Sequence, residues 1–175
     1  GTWAGSSCPS DPRAALSFVN FRAGLAGLSP AYFGMVMATG IVSIAAHLLG
    51  FAWLARSLYA LNCAFYVALW ILYLLRLWWH PRAFFQDLFD HLRGPGYFTS
   101  IAASGVLGSQ TIVLYGWLSA AFALWCVAIA LWLVLTYAIF TILTVKESKP
   151  SLDRGINGGW LLAVVATQSI AVLSA

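Results

Sequence analysis

From Gly94 to Val145 the chain contains no Asp, Glu, Lys or Arg. A membrane-spanning helix needs about twenty consecutive apolar residues, so this stretch has room for two crossings. A soluble domain cannot hide that much continuous apolar surface. The folding medium is a bilayer, in which backbone groups must satisfy one another within helices. Composition agrees: 62% of residues are hydrophobic and 8% are charged, against about 25% charged in an ordinary globular domain. The fold class implied is an all-α integral membrane protein.

Uncharged runs delimit five candidate spans, at about 31–53, 58–78, 97–114, 118–145 and 159–175. They make up a transmembrane domain over 29–175, behind an N-terminal tail over 1–28. That tail has the mixed Ser/Pro/Ala composition of a flexible cytoplasmic segment or a cloning remnant, and lacks the order of a cleavable signal peptide. Ser29-Pro30 offers an N-cap followed by proline at the first helical position, and Tyr115-Gly116 offers a tight turn. The fourth span is longer than the hydrocarbon core needs, so it tilts or extends past the interface. Between the second and third spans, Phe84, Phe85, Leu88, Phe89 and Leu92 share a helical stripe, with Gln86, Asp87, Asp90 and His91 opposite. This segment, about 81–93, is too short to cross; it reads either as an interfacial helix or as a loop packed on the helix ends. The last run stops at Ala175 with no charged flank, which reads as the N-terminal half of a longer protein.

Orientation follows from Lys and Arg in the short loops. Eight of the nine basic residues fall on one side: Arg13, Arg22, Arg76, Arg82, Arg93, Lys146, Lys149 and Arg154, with Arg56 alone opposite. The expected arrangement is a multi-pass inner-membrane protein with its N-terminus in the cytoplasm. Trp53 and Trp117 then mark the outer interface, and Trp78, Trp79 and Trp160 the inner one.

The odd spans differ from the even ones. The second and fourth are mostly bulky and apolar, with Asn62 the main polar intrusion. The first carries Thr39, Gly40, Ser43, His47 and Gly50 along one stripe, with Gly34 nearer its start. The third carries Ser100, Ser104, Gly108 and Thr111, with Gln110 to one side. The fifth carries Ala163, Thr167, Ala171 and Ser174, with Gln168 adjacent. Small and hydroxylated residues let membrane helices approach closely and bond across the contact; alternatively, they line a polar pathway. The alternation across three spans favours the pathway, with Gly34, Thr39, Gly40, Ser43, Ser100, Ser104, Gly108, Gln110, Thr167 and Gln168 as its candidate lining. His47 reads as a proton-sensitive gate or, more simply, as a histidine bonded to a neighbouring helix.

Each odd span also begins on the cytoplasmic side. The starts are Ser29-Pro30, Gly94-Pro95-Gly96 and Asn157-Gly158-Gly159, with Arg22, Arg93 and Arg154 just upstream. Helix N-termini carry about half a positive charge and unpaired N–H groups, so converging starts attract anions. Arg93, Gly94, Gly96, Arg154, Gly158 and Gly159 are the candidate mouth, although the arginines also serve simply to set topology. No carboxylate lies within the spans to hold a cation or relay protons.

Several function classes are excluded or weakened. No basic cluster suits nucleic acid. Cys8, Cys63 and Cys126 lack metal-ligand spacing, no phosphate-binding loop is present, and no cofactor is expected. A haem-binding redox protein would need two imidazoles meeting within the membrane, and only His47 lies in a span. An accessory membrane subunit without flux of its own is the other alternative. The leading expectation is transport of a small anion rather than enzymatic catalysis.

The stretch Ser29-Pro30-Ala31-Tyr32-Phe33-Gly34-Met35-Val36-Met37-Ala38-Thr39-Gly40-Ile41 resembles the first helix of the tellurite-resistance/dicarboxylate transporter family. That family includes TehA-type proteins, malic acid permeases, sulfite efflux pumps and the plant slow anion channel. Arg93-Gly94-Pro95-Gly96-Tyr97-Phe98 and the segment from Ile156 through Gly158-Gly159-Trp160-Leu161-Leu162 to Ala166-Thr167-Gln168-Ser169 resemble its bacterial C4-dicarboxylate branch. The resemblance runs from about Leu28 to the end. It implies a ten-helix fold of hairpins with odd helices around a central pore, often as a homotrimer, carrying a dicarboxylate such as malate or succinate. Ala38 stands where the malate and sulfite branch tends to have glycine, so the substrate does not transfer directly. The pore-occluding phenylalanine that the resemblance implies belongs to a ninth helix, outside these residues.

Overall fold

The computed structural model describes residues 24–25, 27–88, 90, 93–145 and 160–174. Among them the helices are α1 (Phe33–Leu48), α2 (Ala52–Trp79), α3 (Pro81–Leu88), α4 (Phe98–Tyr115), α5 (Leu118–Val145) and α6 (Leu161–Ser174). Short 3-10 turns, Pro30–Tyr32 and Gly94–Tyr97, lead into α1 and α4. Taken with those turns, α1, α2, α4 and α5 are the four helices long and apolar enough to cross a membrane. The fifth span appears as the 14-residue, mainly apolar helix α6. The protein is an all-α membrane protein.

Local chemistry explains most boundaries. Ser29 is extended and its side chain accepts from the Ala31 N–H at 3.4 Å, with Pro30 taking the first helical position. The first hairpin turns earlier than the sequence suggests: α1 ends at Leu48 and α2 starts at Ala52, not near 53 and 58. The reason is Gly50, whose φ of +87° supplies a left-handed residue. Its N–H reaches the His47 carbonyl at 3.0 Å, and that of Phe51 reaches Ala46 at 2.9 Å. Trp53 and Arg56 therefore ride on the first turns of α2 instead of ending α1 and filling a loop. Gly116, with φ +66°, closes α4 the same way through the Ile112 carbonyl at 2.8 Å. The interfacial segment is helical over Pro81–Leu88, shorter than 81–93; residues 89, 91 and 92 lie outside the described set.

At the centre stands α4, with twelve of its eighteen residues buried. It packs closely against α1, α5 and α6 and more lightly against α2, while α1 and α2 form a tight hairpin. Contact between α2 and α5, and between α1 and α6, is at most marginal. Close approach of α4 to α6 depends on missing side chains. A Cβ on Gly105 would fall 2.7 Å from the Ser169 hydroxyl, and one on Gly108 would fall 2.5 Å from a Leu173 methyl. The α1–α2 contact is aromatic, with Phe33 against Trp70 at 5.5 Å and Tyr73 at 5.3 Å between ring centres. The outer faces of α2 and α5 present Val67, Ile71, Leu74, Val127, Leu133 and Val134, as helices exposed to hydrocarbon do.

Candidate functional site

The polar residues of α4 turn mainly toward α2, where three hydrogen bonds form rungs. Tyr59 meets Thr111 at 3.2 Å, Asn62 Nδ2 donates to Gln110 Oε1 at 2.8 Å, and Tyr66 meets Ser104 at 2.8 Å. Thr111 gives its own proton to the Leu107 carbonyl, and Ser104 gives its proton to that of Ser100. A hydroxyl has one proton, so both tyrosines are the donors in their rungs. The backbone of α1 lies across the middle rung at Gly40, where a Cβ would come within 2.6 Å of Val106 and 3.1 Å of Asn62 Nδ2. Ser43 extends the seam by donating to the Ala55 carbonyl at 2.7 Å. Asn62 Oδ1 and Gln110 Nε2 are buried with no hydrogen-bond partner among the described residues.

The ten candidate lining residues therefore separate into two groups. Gly40, Ser43, Ser100, Ser104, Gly108 and Gln110 are buried within the bundle and engaged there. Ser100 donates to the Tyr97 carbonyl at 2.7 Å. Gly34 has open space around it, Thr39 is half-buried, and Thr167 and Gln168 are exposed. Thr167 accepts from the Trp132 indole at 3.0 Å and so faces α5. At 100° per residue, Gln168 falls on the flank of α6 away from α5.

On α4 itself, helix packing leaves a strip open. Ser109 and Val113 lie on the side of α4 between Gly105, which meets α6, and Val106, which meets α1. Ser109 is half-buried and Val113 exposed. Thr39 and Ser109 are half-buried and Gln168 is exposed, so these three keep access to the surface of α1, α4 and α6 respectively.

At the opposite end from Gly50 and Gly116, the starts of α1 and α4 are fastened together. Thr99 donates to the Pro30 carbonyl at 2.9 Å and shares that proton with Gly96 at 2.6 Å. Gly96 lies close enough to Pro30 that a Cβ would stand 3.3 Å from its ring. The described start of α6 reaches the same Gly94–Tyr97 turn. Helix starts converge here, but the charge beside them is not free. Arg93 Nη1 contacts both carboxylate oxygens of Asp87, at 3.1 and 3.2 Å. Asp87 also takes the buried Arg76, which donates in addition to the Leu28 carbonyl at 2.8 Å. Gly94 packs against the Leu88 carbonyl, 2.8 Å from where a Cβ would sit. Arg154, Gly158 and Gly159 lie outside the described residues.

Arg76, read from the sequence as a topology signal, is thus the centre of a knot joining α2, α3 and the approach to α1. Arg76 and Asp87 lie on different helices, so spacing alone gave no sign of the pairing. Asn62 was visible as a polar intrusion, and its partner Gln110 was not assignable. The two histidines among the described residues, His47 and His80, close α1 and follow α2 at opposite ends of the bundle, too far apart to share a haem.

A bundle with four helices long and apolar enough to cross a membrane, no carboxylate within them and polar seams between them is that of a membrane protein. A family model described as SLAC1, voltage-dependent anion channel, matches residues 27–175, and the chain belongs to that family. No curated protein and no solved structure matched it significantly.

Proposed function

We propose that this chain forms one wall of a passage for small anions, of the size and charge of a C4-dicarboxylate, along the open strip of α1, α4 and α6. Membership in a family of anion channels supports passage of anions as a class. The observation that carries the wall is the contrast in burial. Ser104 and Gln110 spend their polar groups on α2, whereas Thr39, Ser109 and Gln168 keep access to the surface. Uncharged hydroxyl and amide groups suit an anion in transit: they donate hydrogen bonds without the tight hold of a buried cation. Gly34 belongs to the same reading as a position that leaves room on α1.

Under this reading the end where the helix starts converge is cytoplasmic and acts as the mouth. Arg93 contributes net charge only in part, because Asp87 offsets it; its side chain is 51% exposed. Arg154, Gly158 and Gly159 complete the mouth, and residence in an inner membrane as a homotrimer completes the proposal. The test is flux in liposomes containing the complete protein, driven by a malate or chloride gradient. Gln168→Leu and Thr39→Val are expected to change conductance or anion preference with folding intact. Wild-type flux no greater than that of empty liposomes would remove the proposal.

A further inference from the structure

Near the Arg76 end, between α2 and α5, lies a cavity of about 110 Å³. Phe33, Trp70, Tyr73, Phe84 and Tyr97 supply an aromatic floor and roof, and Leu135 closes the α5 side. Its accessible wall is almost wholly apolar. Tyr97 donates to the Phe84 carbonyl at 3.3 Å, which ties α3 to this part of the wall. The rim is formed by Leu74 and Leu77, 58% and 37% exposed on the outer face of α2.

We infer that this cavity seats one acyl chain of a membrane phospholipid. The wall disfavours water, which needs two to four polar partners. The Ser100 proton goes to the Tyr97 carbonyl and the Tyr97 proton to that of Phe84, which leaves the buried Tyr73 hydroxyl as the lining group without a partner among the described residues. The size is slightly below the 150 Å³ of an apolar protein cavity that takes up benzene, so it accommodates a short stretch of hydrocarbon chain. The rim indicates which occupant. Surfaces that receive another membrane helix are rich in Gly, Ala, Ser and Thr, as on α4 and α6. Here the approach runs over exposed leucines on a helix face that also presents Val67 and Ile71, and the surrounding phase supplies hydrocarbon directly. A chain in the cavity gains no hydrophobic free energy over bulk lipid; what it gains is dispersion contact across a void that would otherwise stay empty. It also packs beneath Phe84, three residues before the Asp87 that holds Arg76 and Arg93.

The experiment measures phospholipid retained per protomer by native mass spectrometry on the complete protein, taken from bilayers and washed in detergent. Leu135→Trp fills the cavity and is expected to lower retention at least about threefold. Leu133→Trp, on the exposed side of the same helix, is expected to leave it unchanged. Leu131→Phe is a milder filler that is read the same way if Leu135→Trp does not fold. Added phospholipid is also expected to raise the melting temperature of the wild type more than that of the filled variant. Equal retention by wild type and a folded filled variant would overturn the inference. So would a wild type that retains no lipid because another segment of the protein occupies the cavity.

Discussion

α4 and α6 have nearly the same composition, small residues with scattered hydroxyls and one glutamine each, yet they meet opposite fates. On α4, Ser104, Gln110 and Thr111 are buried and bonded to α2. On α6, Gln168 is exposed, and Thr167, though exposed, accepts from Trp132 on α5 and donates to the Ala163 carbonyl. In a bilayer a polar side chain has three ways to be satisfied: its own helix's backbone, a neighbouring helix or water. The comparison shows that residue type does not choose between them; the neighbour does. Tyr59, Asn62 and Tyr66 on α2 provide one set of partners, and among the described residues Gln168 on α6 has none.

The largest effect should come from the knot that holds both groups in place. Replacing Arg76 by Leu leaves Asp87 without its buried partner and frees the Leu28 carbonyl, at an expected cost of about 3–5 kcal/mol. Chemical denaturation in detergent measures it. Arg93→Leu, at the more exposed half of the same pair, should cost no more than about 1 kcal/mol.

Next comes the glycine contrast. Gly105→Ala drives a Cβ into Ser169, whose carbonyl oxygen also lies only 3.0 Å away, and should cost about 1–3 kcal/mol. Gly34→Ala enters open space and should leave stability unchanged or slightly raised. A reversal of these two would break the description of which faces are packed.

The glutamines give the sharpest version of the comparison. Gln110→Leu removes the acceptor of Asn62 Nδ2 within a buried pair and should destabilise by about 1–3 kcal/mol. Gln168→Leu should shift the melting midpoint hardly at all and register in flux. The smallest effect belongs to Trp132→Phe, which loses one bond to Thr167 worth about 0.6 kcal/mol in a membrane.

Much of the architecture was legible before any coordinates. Apolar runs of the right length imply spanning helices, and Gly116 and Ser29-Pro30 mark ends that the structure keeps. The first hairpin is expected too late in the chain because Trp53 reads as the end of the first span and Arg56 as a loop residue, while Gly50 falls on a stripe and acts as the turn. The small-polar stripes were visible, but their neighbours were not. Gly40 and Ser43 share a face with the expected pathway residues and still pack on α2 and α4. Helical periodicity fixes which residues point the same way; it carries no information about which helix stands opposite. The Arg76–Asp87–Arg93 cluster escaped notice for a similar reason, since each arginine already had a sufficient role in setting topology.

The most direct test places single cysteines in a protein whose Cys8, Cys63 and Cys126 have been changed to Ala, then exposes it in sealed vesicles to a membrane-impermeant thiol reagent. Thr39→Cys, Ser109→Cys and Gln168→Cys are expected to react, with permeant anions slowing the reaction, while Ser104→Cys on the α2 side stays unlabelled. Labelling of the Ser104 position with silence at the other three would contradict the account and move the passage to the α2–α4 seam.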